Sequence, residues 1–167
     1  MTPDVPRTVT ALLEYLDAQL ARRTDAWDAV LARTVAMLSD AFDHFHWTGV
    51  YLVEGADLVL GPFVGHPTEH VRIPIGAGIC GVAAAAGTTI VVDDIHADPR
   101  YLACFVSTRS EIVVPIIDGD HVIGEIDVDS DRPAAFGAGD RALLEQVADR
   151  LARLAPVGRW PVPAEAG

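Results

Sequence analysis

The chain contains no lysine: all 12 basic residues are arginines, set against 24 aspartates and glutamates. The formal net charge of −12 repels phosphate, and the arginines do not cluster beyond the pair Arg22-Arg23. A nucleic-acid-binding surface is therefore excluded as an expectation. Long hydrophobic runs are missing too. No apolar stretch approaches the roughly 18 residues that a membrane helix needs, and the first residues lack the basic and apolar regions of a secretory leader. Cysteine is scarce, with two in 167 residues, which in a chain expected to be cytoplasmic reads as free thiols or a transient redox pair, not a structural staple. Half of the residues are hydrophobic, but many are alanine, so the bulky core is ordinary. The length suits one domain with a helical extension.

Residues 8–23 repeat apolar positions at helical spacing, with Val9, Leu12, Leu13, Leu16 and Leu20 on one face. Thr24 or Asp25 is expected to cap a second helix, running from Trp27 to about Phe42. From Trp47 the period shortens to that of strands: residues 47–53 and 58–64 form an expected hairpin, and residues 70–75 a third strand. The glycine-rich turn at 76–81 is expected to open into a short helix over 82–86 that Gly87 ends. A strand over 89–92, an acidic loop and a helical turn over 101–104 follow. Two strongly patterned strands, 111–117 and 121–128, are joined at Asp118-Gly119-Asp120, and a last helix is expected to be capped by Asp140. Strands joined by tight turns give a mostly antiparallel sheet, so the class is α+β. Terminal helices are expected on one face of the sheet, and loops enclosing a ligand on the other. The expected organisation is a helical segment over 1–41, the domain proper over 42–155 and a loose tail over 156–167.

Gly76-Ala77-Gly78-Ile79-Cys80-Gly81 is a literal G-x-G-x-x-G. A dinucleotide site needs a βαβ unit around it, whereas this segment follows an antiparallel run and precedes a helix too short for a crossover. Local physics survives: Cys80 stands at a helix start, where a thiolate is stabilised, or packs as a small buried thiol beside alanines. Cys104 has Arg100 and Arg109 nearby in sequence, and such cations lower a thiol's pKa.

In Gly124-Glu125-Ile126-Asp127-Val128-Asp129-Ser130 the carboxylates fall at alternate positions, so Glu125, Asp127 and Asp129 project from one face of a strand. Aspartate is rare in strands and like charges repel, so either this face is solvated or it meets a cation, a metal or an ammonium group. Glu111, opening the neighbouring strand, adds a fourth carboxylate. A metal needs further ligands converging, which spacing does not supply, and no metal site is assigned. Trp47 and Tyr51 share a strand face, as core packing or as an aromatic box. The histidines, including His44, His46, His66 and His70, match no zinc spacing and read as ordinary polar residues.

Trp47-Thr48-Gly49-Val50-Tyr51, Leu60-Gly61-Pro62-Phe63, Val71-Arg72-Ile73-Pro74, Gly78-Ile79-Cys80-Gly81, Ala103-Cys104, Ser110-Glu111-Ile112-Val113-Val114-Pro115 and Ile123-Gly124-Glu125-Ile126-Asp127-Val128-Asp129-Ser130 follow in order. Together, over residues 42–154, they resemble the GAF-domain enzymes called free methionine-(R)-sulfoxide reductases. The resemblance implies a sheet of about six strands with the terminal helices on one face and a loop-enclosed pocket on the other. It implies that a cysteine thiolate attacks the sulfur of free methionine sulfoxide, and it selects Cys104 as that nucleophile. Glu111, Asp127 and Asp129 then line the pocket, where carboxylates hold the substrate ammonium group and a protonated one donates to the leaving oxygen. Trp47 and Tyr51 wall the S-methyl group, and Glu125 receives no role. The resemblance implies no bound cofactor; thioredoxin or another thiol is the external reductant, and two copies pair through their helices.

Two positions depart from the family pattern: His70 stands where a third cysteine is usual, and Phe105 where an acidic residue follows the nucleophile. The sulfenic acid is then resolved by Cys80 or by an external thiol. The alternative is a non-catalytic GAF module that binds a small ligand and signals, since one scaffold hosts many functions. A cyclic nucleotide is disfavoured because gathered carboxylates repel its phosphate.

Overall fold

The computed structural model describes residues 5–102 and 107–158. Cys104, and residues 159–167 of the expected tail, lie outside the described residues. The elements are α1 (Val5–Arg22), α2 (Trp27–Ala41), β1 (Trp47–Glu54), β2 (Asp57–Val64), β3 (Arg72–Pro74), α3 (Gly78–Ala86), β4 (Ile90–Val92), a 3-10 turn (Ile95–Ala97), β5 (Ser110–Asp118), β6 (His121–Ser130) and α4 (Ala138–Leu154).

The strands form one six-stranded sheet in the order β3-β2-β1-β6-β5-β4, and every neighbouring pair is antiparallel. β6 lies at the centre, between β1 and β5, and alternation divides its side chains. Ile126 and Val128 face one side, where they pack with Val50, Ile112 and Val114 against Leu12, Leu16, Leu31, Leu38, Leu144, Val147 and Leu151 of α1, α2 and α4. Trp47, Tyr51 and Val113 face the other side and pack with Ile79, Cys80 and Ala83 of α3 and with Ile95. The terminal helices thus cover one face, as their apolar stripes require. The second face is covered only by the small α3 and by loops.

Three local expectations are corrected. α2 begins after Ala26, with no side-chain cap. Thr24 and Asp25 are occupied elsewhere: Gln19 Oε1 accepts from the Asp25 backbone N–H at 3.0 Å, and Tyr15 donates to the Asp25 carboxylate at 2.8 Å. Asp140 is not the N-cap of α4; it lies three residues inside, and its carboxylate accepts the Gly137 N–H at 2.9 Å. α3 starts at Gly78 rather than at residue 82, so the last four residues of the glycine motif form its first turn. Gly81 is required there because a β-carbon would come within 2.6 Å of the Pro74 carbonyl oxygen. The motif brings a helix tightly onto the end of β3, and no phosphate cradle is formed. Tyr101 and Leu102, the described part of the expected helical turn over 101–104, are not helical.

Candidate active site

The antiparallel register assembles the acidic residues. Asp129 pairs with Trp47 on one side and Glu111 on the other; Asp127 lies between Gly49 and Val113, and Glu125 between Tyr51 and Pro115. All four carboxylates therefore occupy the face opposite the terminal helices, and all are buried, from fully for Glu125 to 5% exposed for Glu111. The Cys80 thiol of α3 comes down on this row, with its Sγ 3.7 Å from Glu111 Oε1. Both oxygens of Glu125 and Oδ1 of Asp127 are buried without a hydrogen-bond partner.

Burial dominates the titration of this row, and among the described residues no cation forms an ion pair with it. Burial pushes Glu111 well above the usual carboxylate range, reinforced by Asp127 and Asp129. Burial likewise raises Glu125 and Asp129 well above their ordinary values, each further opposed by Asp127. Asp127 rises only to about 6, because hydrogen bonds from Cys80 and Glu111 favour its charged form. Between Glu111 and Asp127, the proton they share is favoured on Glu111. The same surroundings favour the second of the two readings of Cys80, the small buried thiol. Although third in α3, its thiol is pushed well above its ordinary value, first by burial and then by Asp127, Glu125 and Glu111. A helix start favours a thiolate by a fraction of an elementary charge, and three carboxylates outweigh it.

Beside this row, Trp47 lies flat in a cradle of glycines. A β-carbon at Gly49 or Gly65 would collide with the indole, and Gly65 also holds φ +136, open essentially to glycine alone. Phe63 stacks on the ring with centroids 5.6 Å apart, and the indole N–H donates to the His66 carbonyl at 3.1 Å. Tyr51 shares the face, with ring centroids 6.4 Å apart, and donates its hydroxyl to the His70 carbonyl at 2.8 Å. Gly65→Ala is expected to cost about 2 kcal/mol through strain and the displaced indole. A urea midpoint measured beside wild type checks it, and an unchanged midpoint contradicts the cradle.

Two hollows flank the row. The larger, about 130 Å³, is lined by His46, Trp47, His66, Ser107, Thr108, Asp129 and Asp131. The smaller, about 20 Å³, lies against Ile79, Cys80, Tyr101, Leu102 and Glu111. Cys104 cannot be placed within this geometry, but the described residues on either side of its segment, Leu102 and Ser107, line one hollow each.

The chain matches the GAF domain family over residues 26–154. It is 37% identical over 126 residues to the free methionine-R-sulfoxide reductase of Escherichia coli, covering 75% of this chain and 76% of that protein. The chain belongs to the GAF-domain family of free methionine-R-sulfoxide reductases. The X-ray structure of the Neisseria meningitidis reductase in complex with its substrate shares 41% identity, with a TM-score of 0.79 and 87% of each chain covered. The type II reductase of Thermoplasma acidophilum shares 38% identity, with a TM-score of 0.73 over 86% of this chain and 94% of that one. The GAF fold and the oxidoreductase class follow from this membership.

As a member of this reductase family, the chain gathers Trp47, Tyr51, Glu111, Asp127, Asp129 and Cys80 on one face, as the residues singled out in sequence suggest. His46 and His66 line the larger hollow, and the His66 and His70 carbonyls accept hydrogen bonds from Trp47 and Tyr51. Backbone acceptors leave no trace in residue type, and His46-Trp47 adjacency is the one available signal.

The raised carboxylates also set how stability varies with pH. Each binds its proton more tightly folded than unfolded, so its contribution is present below the unfolded pKa and is lost as pH rises through the folded one. For Asp127, moving from 3.8 to about 6 amounts to ~3 kcal/mol at 1.36 kcal/mol per unit, lost between about pH 4 and 6. Glu111, Glu125 and Asp129 extend the loss to higher pH. Urea midpoints are expected to fall from pH 5 to pH 8, and Asp127→Asn to flatten the profile between pH 4 and 6; midpoints that rise with pH contradict the burial of uncompensated acids.

Proposed function

We propose that the protein reduces free L-methionine-(R)-sulfoxide to methionine, with Cys104 as the nucleophile and thioredoxin or a small thiol as the cytoplasmic reductant. The observation that carries this reading is the convergence of buried, uncompensated carboxylates beside the Trp47 hollow, in a chain of this family. A free amino acid brings an ammonium group, the charge this face is short of, and Asp127 and Asp129 are suited to receive it. Trp47 and Tyr51 offer an apolar wall to the S-methyl group. Glu111, protonated by its surroundings, is suited to donate to the sulfoxide oxygen as the Cys104 thiolate bonds to sulfur.

The outcome of that step is methionine and a Cys104 sulfenic acid, the oxygen passing from substrate to enzyme. A second thiol then attacks the sulfenic sulfur and expels water, and two electrons from the external reductant reduce the disulfide formed. Cys80 or the external thiol itself supplies that second thiol.

Incubation with racemic free methionine sulfoxide and dithiothreitol tests the activity. The R epimer is expected to disappear with matching formation of methionine while the S epimer persists. Consumption of neither epimer, with ligand still bound, indicates a sensor and overturns the reading. Mass spectrometry after one turnover without reductant identifies the resolving thiol: a Cys80–Cys104 disulfide assigns it to Cys80, and two unlinked cysteines assign it to the external thiol.

A further inference from the structure

Cys80 and Glu125 are not fully used by the reaction above. Glu125 is fully buried, neither of its oxygens has a hydrogen-bond partner, and it faces the Cys80 sulfur across the row. Asp127 Oδ1 is also unpartnered. One ligand atom each from Cys80, Glu111 and Asp127 falls within 4.8 Å of the others. Among the described residues no ion pair reaches them; Arg100 acts on Glu111 only at a distance, its guanidinium hydrogen-bonded to Asp98 at 2.6 and 2.9 Å.

We propose that Cys80, Glu111, Asp127 and Glu125 form a binding site for a thiophilic divalent cation of the zinc(II) type. The sequence supplies alternating carboxylates but no converging soft ligand; the fold brings one in from α3. Tetrahedral zinc with one sulfur and three oxygen ligands holds sulfur and oxygen roughly 3.5 Å apart, and Cys80 Sγ to Glu111 Oε1 is already 3.7 Å. A thiolate among carboxylates selects zinc or cobalt(II) over magnesium or calcium, which take oxygen alone. Asp127 Oδ1 and the Glu125 oxygens have no partner to give up; Glu125 stands beside the converging Cys80, Glu111 and Asp127 as the fourth ligand, and the ion replaces the hydrogen bond from Cys80 to Glu111. The small hollow lies against Cys80 and Glu111 and is bordered by the exposed Leu102.

Binding displaces the Cys80 proton and the protons held on the carboxylates, so it weakens in acid. Cys80 and Glu111 are the groups facing the ion from α3 and β5, Glu125 and Asp127 those from β6, with Asp129 next on that strand and Arg100 near Glu111. Where the reductase reading holds, the ion also removes Cys80 from recycling and competes for Glu111 and Asp127, making the site inhibitory.

The test reads binding itself and is independent of turnover. In the reduced full-length chain carrying Cys104→Ser, Cys80 is the only thiol. Titration with cobalt(II) is expected to produce a thiolate-to-cobalt charge-transfer absorption that saturates at one ion per chain and is abolished by added zinc. The Cys80→Ser, Cys104→Ser double variant is expected to lack it, and Glu125→Gln in the Cys104→Ser chain to weaken binding about 10-fold or more, with circular dichroism verifying the fold. No charge-transfer absorption at saturating cobalt, or unchanged affinity in Glu125→Gln, overturns the site whatever the enzyme assay gives.

Discussion

Cys104→Ser is expected to lower the single-turnover rate on free methionine-(R)-sulfoxide by about 10³-fold or more, whereas Cys80→Ser leaves the first turnover within a few-fold of wild type. The contrast comes from the surroundings of Cys80. Its thiol is buried beneath α3 and faces Glu111, Glu125 and Asp127, all of which oppose the thiolate. A sulfur held as a thiol is a poor nucleophile, since the attacking species is the thiolate. Under the proposed mechanism, Cys104 opens the reaction. Rapid quench with radiolabelled substrate and no reductant separates the first turnover from recycling. A first turnover lost in Cys80→Ser and retained in Cys104→Ser reverses the assignment.

Glu111→Gln carries the second large effect, a fall in kcat/KM of about 10²- to 10³-fold, the range for removing a general acid. Glutamine preserves the shape and the donor toward Asp127 but has no acidic proton to release. Burial and the neighbouring carboxylates raise Glu111 well above the usual range, which favours the acid form toward higher pH. Activity is expected to fall as pH rises through that raised value, and this alkaline limb to vanish in Glu111→Gln. A purely structural Glu111 would lower stability while keeping the limb; a variant with unchanged kcat/KM rejects the acid role outright.

Much of this site is written locally. The alternation of Glu125, Asp127 and Asp129 against Ile126 and Val128 is enough to put three carboxylates on one face, and Trp47 with Tyr51 is legible by the same rule. What sequence spacing misjudges is Cys80. Its helical position is a property of α3, but its acidity is set first by burial and then by Asp127, Glu125 and Glu111, all more than 30 residues further along the chain. Contacts of that range are fixed by strand order, which residue type does not encode. The glycine motif fails for a related reason: its resemblance to a phosphate loop is local, while the need for Gly81 comes from the Pro74 carbonyl pressed against it. The caps of α2 and α4 differ from expectation because Gln19 and Tyr15 donate to the side chains of Thr24 and Asp25, and the Gly137 N–H donates to that of Asp140.

The central claim is that a buried acidic face recognises the ammonium group of a free amino acid. The most direct measurement compares kcat/KM for L-methionine-(R)-sulfoxide and for its N-acetyl derivative, which has the same sulfoxide and no positive charge. Removing the partner of buried carboxylates leaves them unpaired, at a cost of several kcal/mol and hence about 10²-fold or more in rate. The account predicts that the N-acetyl compound is reduced at least about 10²-fold less efficiently; equal kcat/KM for the two would contradict it.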